Sequence, residues 1–298
     1  MTEWLRVAPE VEQTLREGGP VVALETTLIA QGFPPGVGVE VGLEAEAQVR
    51  SAGAVPATVG VLDGSVVVGL TEAEIDRFGE AGADARKLGP RDLAACAVQG
   101  AVGATTVGGT LAACRLSKIR FLGTGGIGGV HRGFAARPDV SADLAELARA
   151  PALVVSSGIK SLLDVPATAE LLETLGVPAL GYRTDELPLF YSTGGGPPVS
   201  ARVDSAADAA RIAAAHWELG GAALLLGRPP GETLPNAEEL IEQALEAAHD
   251  RGIAGQDVTP FVLSFLQERS GGRALAVNRD LIVANAALAS EVAVSFSG

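Results

Sequence analysis

The chain reads as an α/β protein, a three-layer α/β/α sandwich around a mainly parallel, mixed central sheet. Three observations predict this. Short apolar β-type runs alternate with Ala/Leu/Glu-rich helical segments, the rhythm of a parallel sheet covered by helices on both faces. Two of those runs flank Asp63-Gly64, a hairpin signal that puts at least one antiparallel strand into the sheet. Of the 298 residues 47% are apolar and 19% charged, which supplies a large core and excludes disorder. Aromatics are only 4%, so Ala, Val and Leu must build that core. No repeat or linker divides the chain, and residues 1–298 are read as one domain.

The elements follow in order. Val21-Val22-Ala23-Leu24-Glu25 is a buried strand, and a helix over 39–50 closes near Gly53. Residues 57–62 and 65–68 form the hairpin strands, and Thr71-Glu72-Ala73-Glu74 is a capping box opening the next helix. Helices are expected near 90–99 and 105–117, then a strand Ile119-Arg120-Phe121-Leu122 running into a glycine loop. Ser141 caps a helix to about Ala150, and an apolar strand from Ala152 precedes Lys160. A helix near 166–175, a strand at 179–183, a helix at 205–218 and a strand at 222–226 come next. Three helices close the chain, starting near Asn236, Thr259 and Leu275. Glu25, the Gly123 loop and Lys160 each stand at the end of an expected strand. If those strands are parallel, the three meet at one carboxyl edge, where open α/β sheets bind ligands.

Composition also limits function. The net charge of −14 argues against nucleic-acid or anionic-membrane surfaces, while leaving room for a locally basic site. Cys96 and Cys114 have neither redox nor zinc spacing and read as small buried hydrophobes. No signal peptide and no apolar stretch of spanning length uninterrupted by turn residues is seen, so a soluble cytoplasmic protein is expected.

Lysine is scarce: only Lys87, Lys118 and Lys160 occur among 22 basic residues. Genome composition accounts for scarcity alone. Yet only lysine can lose a proton and attack a carbonyl, and at an ordinary pKa of about 10.4 its neutral fraction at pH 7 is under roughly one in a thousand. Lys160 ends an apolar run, and Lys87 lies close to Arg86 and Arg91, so both stand where surroundings could activate an amine.

The stretch from Gly123 to Gly133 carries six glycines in eleven residues, with His131 and Arg132 as added donors. It reads as an anion cradle or as a tight strand-to-loop crossover. Gly123, Gly125 and Gly128 spell G-x-G-x-x-G, but no helix follows, and Asp143 falls at a helix start where the dinucleotide acid should end a strand. Nicotinamide dinucleotide binding is therefore excluded. Ser141 suits an N-cap and Asp143 the first helical turn. The same helix start could instead hold substrate oxygens, with Asp139, just outside it, as a carboxylate for Mg²⁺ or Mn²⁺. Glu25 is a general acid with a pKa raised by burial, or a carboxylate paired with an arginine at the sheet edge. Asn285, polar within the apolar run Val283 to Leu288, should hydrogen-bond inward.

Taken together, Val22-Ala23-Leu24-Glu25-Thr26-Thr27, Gly103-Ala104-Thr105-Thr106-Val107, Thr124 to Gly133, Ser141-Ala142-Asp143-Leu144, Gly158-Ile159-Lys160-Ser161 and Asn285 to Ser290 resemble the pseudouridine-5′-phosphate glycosidase family, also called indigoidine-synthase-A-like. The resemblance runs from about residue 7 to 292. It implies an α/β/α fold, a homotrimer, and reversible cleavage of pseudouridine 5′-phosphate into uracil and ribose 5-phosphate. By position it makes Lys160 the lysine that forms a Schiff base with C1 of the ring-opened sugar, and Glu25 the acid. It implies substrate binding by Lys87, Val107, Ser141, Ala142 and Asp143, and manganese, or another divalent cation, at Asp139. His131, Arg132 and Asn285 are taken as further substrate-binding residues. The chain departs from the resemblance at Gln31, where His is common, and in the loop Phe33-Pro34-Pro35-Gly36. Two other readings fit the same residues: an aldolase-like Schiff-base lyase of phosphosugars, and a sugar-phosphate binding protein without chemistry.

Overall fold

The computed structural model describes residues 3–136, 138–253, 255 and 258–298. Its strands are β1 (Leu5–Val7), β2 (Val21–Glu25), β3 (Val55–Leu62), β4 (Ser65–Val68), β5 (Arg86–Leu88) and β6 (Gly103–Thr105). They continue with β7 (Phe121–Gly123), β8 (Leu153–Ser156), β9 (Ala179–Tyr182), β10 (Ala201–Val203) and β11 (Leu224–Gly227). Among the described residues these form one sheet in the order β1-β4-β3-β2-β7-β8-β11-β9-β10, with β6 paired to β3 and β5 to β6. Pairing is parallel except at β3–β4 and β3–β6. The sheet is mainly parallel and mixed, as the sequence predicts.

Alternation along each central strand builds two cores. Val21 and Ala23 face one apolar cluster, Val22 and Leu24 the other, as the two-residue period of a strand requires. In β11, Leu225 faces the first cluster while Leu224 and Leu226 face the second. Helices Val107–Ser117, Ala142–Leu147 and Ala237–Asp250 cover the first side. Helices Val37–Ser51, Ala206–Glu218 and Arg273–Ser297 cover the second. This is the three-layer sandwich.

The Asp63-Gly64 turn has φ of 51° and 80°, the two left-handed residues that a two-residue hairpin demands. Thr71 and Glu74 form the expected reciprocal capping box. Helix Arg273–Ser297 is the one helix among the described residues that is long and apolar enough to span a membrane. It packs within the second core through Ala286, Ala289 and Val292. It was expected to start near Leu275 and begins two residues earlier. The three-residue strands β1, β5, β6 and β10 and the helices Pro9–Arg16 and Thr27–Gln31 are absent from the sequence expectation. Strands this short carry no readable period, and distant partners create them: β1 pairs with β4, and β6 with β3.

Candidate active site

β2, β7 and β8 are neighbours and parallel, so their carboxyl ends open on one side. Glu25 is the last residue of β2. Beyond β7, the Thr124 amide donates to Val155 O at 3.0 Å, extending the pairing with β8 by one residue. The two exits stay linked: Ile127 N donates to Gly158 O at 3.0 Å, and Lys160 N donates to Ile127 O at 3.2 Å. Gly158 has φ of +80°, and a β-carbon there would stand 1.8 Å from Pro188 O. Only glycine fits that bend, and the bend carries the chain to Lys160.

These exits border a cavity of about 410 Å³. It gathers Glu25 and Lys160 with Lys87 from β5 and Val107 from a helix start. His131, Asp139, Ser141, Ala142 and Asp143 come from the loop and helix that follow β7. Lys87 reaches this edge because β6 runs antiparallel to β3 and β5 lies parallel to β6, with Lys87 opposite Ala104. A buried threonine network ties that corner to β2. Thr26 Oγ1 donates to Val59 O at 2.8 Å, Thr105 N to Thr26 Oγ1 at 2.9 Å, and Thr27 Oγ1 to Thr105 O at 2.6 Å.

Glu25 is buried, and desolvation raises its pKa above 4.5 against the opposing charge of Lys160. The Thr124 hydroxyl, which donates to Glu25 Oε1, and Lys87 also favour the carboxylate, while Asp143 disfavours it. The alternative of an arginine partner is not what the structure shows: the described groups acting on this carboxyl are two lysines, a threonine and an aspartate. The pKa of His131 is lowered, mainly by burial, with Lys87 and Lys160 adding to the effect and Asp139 opposing it. The imidazole is therefore neutral at pH 7 and can donate and accept.

Asp143 combines its cap role with a second one. Its Oδ1 accepts from Gly108 N at 2.8 Å and its Oδ2 from Gly128 N at 2.9 Å. One buried carboxylate thus clamps the start of helix Val107–Ser117 to the glycine loop. Ser141 caps its helix by accepting from Asp143 N at 3.2 Å. Among the described residues, turn and bridge follow the last glycine of the loop until helix Ala142–Leu147 begins. Lys118 is exposed, at the left-handed end of helix Val107–Ser117, away from this cavity.

Two residues taken as substrate-binding do not line it. Arg132 faces a neighbouring cleft, where it donates to Ser161 O at 2.7 Å and Leu163 O at 3.3 Å and pairs with Glu238 at 2.7 Å. His131 is bridged to Leu163 and enters the cavity, while Arg132 begins the turn that follows and is held by its own bonds to Ser161 O, Leu163 O and Glu238. Asn285 lies beneath the cavity floor, fully buried. The cavity also contains Gln31, where the chain departs from the family resemblance, together with Thr124, Phe190 and Asn278, which the sequence did not single out. Gln31 donates to Ala85 O at 2.8 Å. Phe190 has φ of 58°, a strained conformation for a bulky residue. A bulky side chain held in the left-handed region cannot be read from sequence. Asn278 sits seven residues before Asn285, two turns along one helix, and that spacing was the signal available for it.

Among the described residues, no three His, Cys, Asp or Glu gather as a metal cage. Asp139 is a single half-buried carboxylate at the cavity wall. That donor set fits a hard divalent cation that keeps waters and shares a substrate phosphate. It does not fit a structural zinc site.

Residues 10–295 match the family described as indigoidine synthase A like protein. The chain is 46% identical over 296 residues to a pseudouridine-5′-phosphate glycosidase of Herpetosiphon aurantiacus, covering 98% of this chain and 97% of that one. It is 45% identical to the Myxococcus xanthus protein of the same name, with 98% of each chain covered. Among solved structures, the prealnumycin C-glycosynthase AlnA in complex with ribulose 5-phosphate superimposes with a TM-score of 0.90 at 39% identity, over 100% of this chain and 98% of that one. An indigoidine synthase A-like protein of Thermotoga maritima gives 0.89 at 37% identity, over 99% of this chain and 97% of that one. The fold, the full-length match and these relatives agree: the chain belongs to the indigoidine synthase A like family.

Proposed function

We propose that the protein is a C-glycosidase that reversibly cleaves pseudouridine 5′-phosphate to uracil and ribose 5-phosphate, a reading supported by the name pseudouridine-5′-phosphate glycosidase that its relatives carry. The observation that carries this is the meeting of Glu25, buried with a raised pKa, and Lys160 in one cavity beyond the carboxyl ends of β2 and β8, the parallel strands on either side of β7. A carboxyl that burial makes hold its proton more tightly, in one cavity with a lysine, suits a sugar whose ring must open before its C1 can bond to nitrogen.

In this mechanism Glu25 gives its proton to the ring oxygen as the C1–O bond breaks. The Lys160 amine adds to C1 through its nitrogen lone pair and gives a proton to the Glu25 carboxylate. Glu25 then passes that proton to the uracil carbon bonded to C1. The nitrogen lone pair forms the C=N bond while the C1–carbon electron pair returns to the uracil ring, which leaves. Water adds to the iminium and expels the Lys160 amine, releasing ribose 5-phosphate. One water is consumed overall. Lys87 would hold the phosphate, with Val107 and the segment Ser141 to Asp143 shaping the sugar site. Neutral His131 would hydrogen-bond the substrate. Asp139 would hold Mn²⁺ or another divalent cation, which when bound would offset phosphate charge.

A cytoplasmic homotrimer active in nucleotide catabolism belongs to the same reading, and sedimentation at micromolar concentration tests the trimer. The AlnA neighbour, a C-glycosynthase with ribulose 5-phosphate bound, favours one alternative, Schiff-base chemistry on a phosphosugar with a different carbon partner. The experiment is direct. Pseudouridine 5′-phosphate is supplied with Mn²⁺, and uracil release is followed by ultraviolet absorbance. Release supports the reading. No release, with a ribose 5-phosphate adduct still trapped by borohydride, would move the protein to the alternative partner.

A further inference from the structure

We infer that Asn285 is a positioning residue: from beneath the cavity floor its carboxamide holds together the two strand exits that carry the partner of Glu25 and lead to Lys160. This rests on the roles proposed above for Glu25 and Lys160. Asn285 Nδ2 donates to Thr124 O at 2.8 Å and to Ser157 Oγ at 3.1 Å. Thr124 follows β7 and turns its hydroxyl onto the Glu25 carboxyl. Ser157 follows β8, donates its amide to Gly125 O at 2.9 Å, and accepts at its carbonyl from Phe190 N at 2.9 Å. Three residues later the chain reaches Lys160. One amide group thus touches both exits, one of which bears the hydroxyl partner of the acid while the other leads to the amine.

The helix bearing Asn285 is itself seated closely. A β-carbon on Gly123 would lie 2.8 Å from Ala286 Cα, so backbone packs on backbone there. Asn285 is fully buried, and its Oδ1 has no hydrogen-bond partner among the described residues. Its two donor bonds therefore set its orientation. Buried polar groups with an unmatched atom are uncommon in cores, where an apolar residue of similar shape would be nearly neutral. Alignment of the two exits explains why a carboxamide stands there. A residue in direct contact with substrate would line the cavity, and Asn285 does not.

The test is a double-mutant cycle of Asn285→Ala with Thr124→Val, read by steady-state kinetics and by carbon-13 titration of the Glu25 carboxyl. Lys160, Lys87 and Asp143 also act on that carboxyl and are left intact. Asn285→Ala should lower kcat about 10–100-fold, the usual effect of losing a group that orients a reacting residue. KM should stay within about 2-fold, because no ground-state contact is removed. On the Thr124→Val background the kcat effect should be clearly smaller than in the wild type, because the arm through Thr124 to Glu25 is shared while the arm through Ser157 remains. Both single changes should move the Glu25 titration upward. Additive effects, a raised KM at unchanged kcat, or an unmoved titration would overturn the inference. If Asn285→Ala does not fold, Asn285→Ser takes its place with the same expected pattern. Were the wild type to release no uracil, the proposed substrate would fail, while the Glu25 titration would still decide the role of Asn285.

Discussion

A β-carbon on Gly128 would stand 2.4 Å from Ser141 Oγ, so the glycine loop and the helix cap meet with no room for a side chain. The same carbon would lie 2.6 Å from Ser141 Cβ and 2.8 Å from Asp143 Oδ2. Gly128→Ala should therefore spread the loop from the helix start. The expected loss is about 1–3 kcal/mol in stability, as for overpacking, with a larger loss of activity. Thermal unfolding and uracil release check this. Unchanged values for both would disprove the close seat of the loop.

Lys160→Arg keeps the charge and cannot form an imine. Activity should drop by several orders of magnitude, and borohydride with ribose 5-phosphate should no longer leave an adduct. In the wild type, peptide mass spectrometry should find that adduct on Lys160. An adduct on Lys118, exposed at the end of its helix, would contradict the Schiff-base assignment.

Glu25 predicts the alkaline limb of the pH profile. Its pKa is raised by burial, and an acid must be protonated to act, so activity falls as pH climbs through that value. Thr124→Val removes a donor that favours the carboxylate and should move the limb to higher pH. Glu25→Gln should lower kcat by about 10²–10⁴-fold. Stability follows the same sign. A raised folded-state pKa contributes stability below the ordinary value of 4.5, and this is lost as pH rises through the folded value. Glu25→Gln should thus gain on the wild type in alkaline melts.

Lys87→Ala should chiefly weaken binding. Losing a charge-assisted hydrogen bond worth roughly 1.5–3 kcal/mol would raise KM by about 10–150-fold. An unchanged KM would assign the phosphate to another group, with His131 the first candidate in the cavity.

Removing divalent metal by chelation should reduce activity, and Mn²⁺ should restore it. Asp139→Ala should need more Mn²⁺ for half-restoration. Equal requirements in variant and wild type would place the ion elsewhere.

The sequence by itself determined the layered α/β architecture, because strand and helix periods in the central segments leave one way to bury both faces. Its apolar run before Glu25, its lysine scarcity and the helix start after the glycine loop singled out Glu25, Lys160, Lys87 and Asp139, and the family resemblance supplied their roles. Tertiary structure decided what touches what. The antiparallel placement of β6 brought Lys87 to the edge, and bonds to Ser161, Leu163 and Glu238 hold Arg132 in another cleft. Burial of Asn285 beneath Thr124 and Ser157 moved it from the cavity wall to its foundation. Those facts depend on contacts between residues tens to more than a hundred positions apart, which local propensity and motif spacing do not encode.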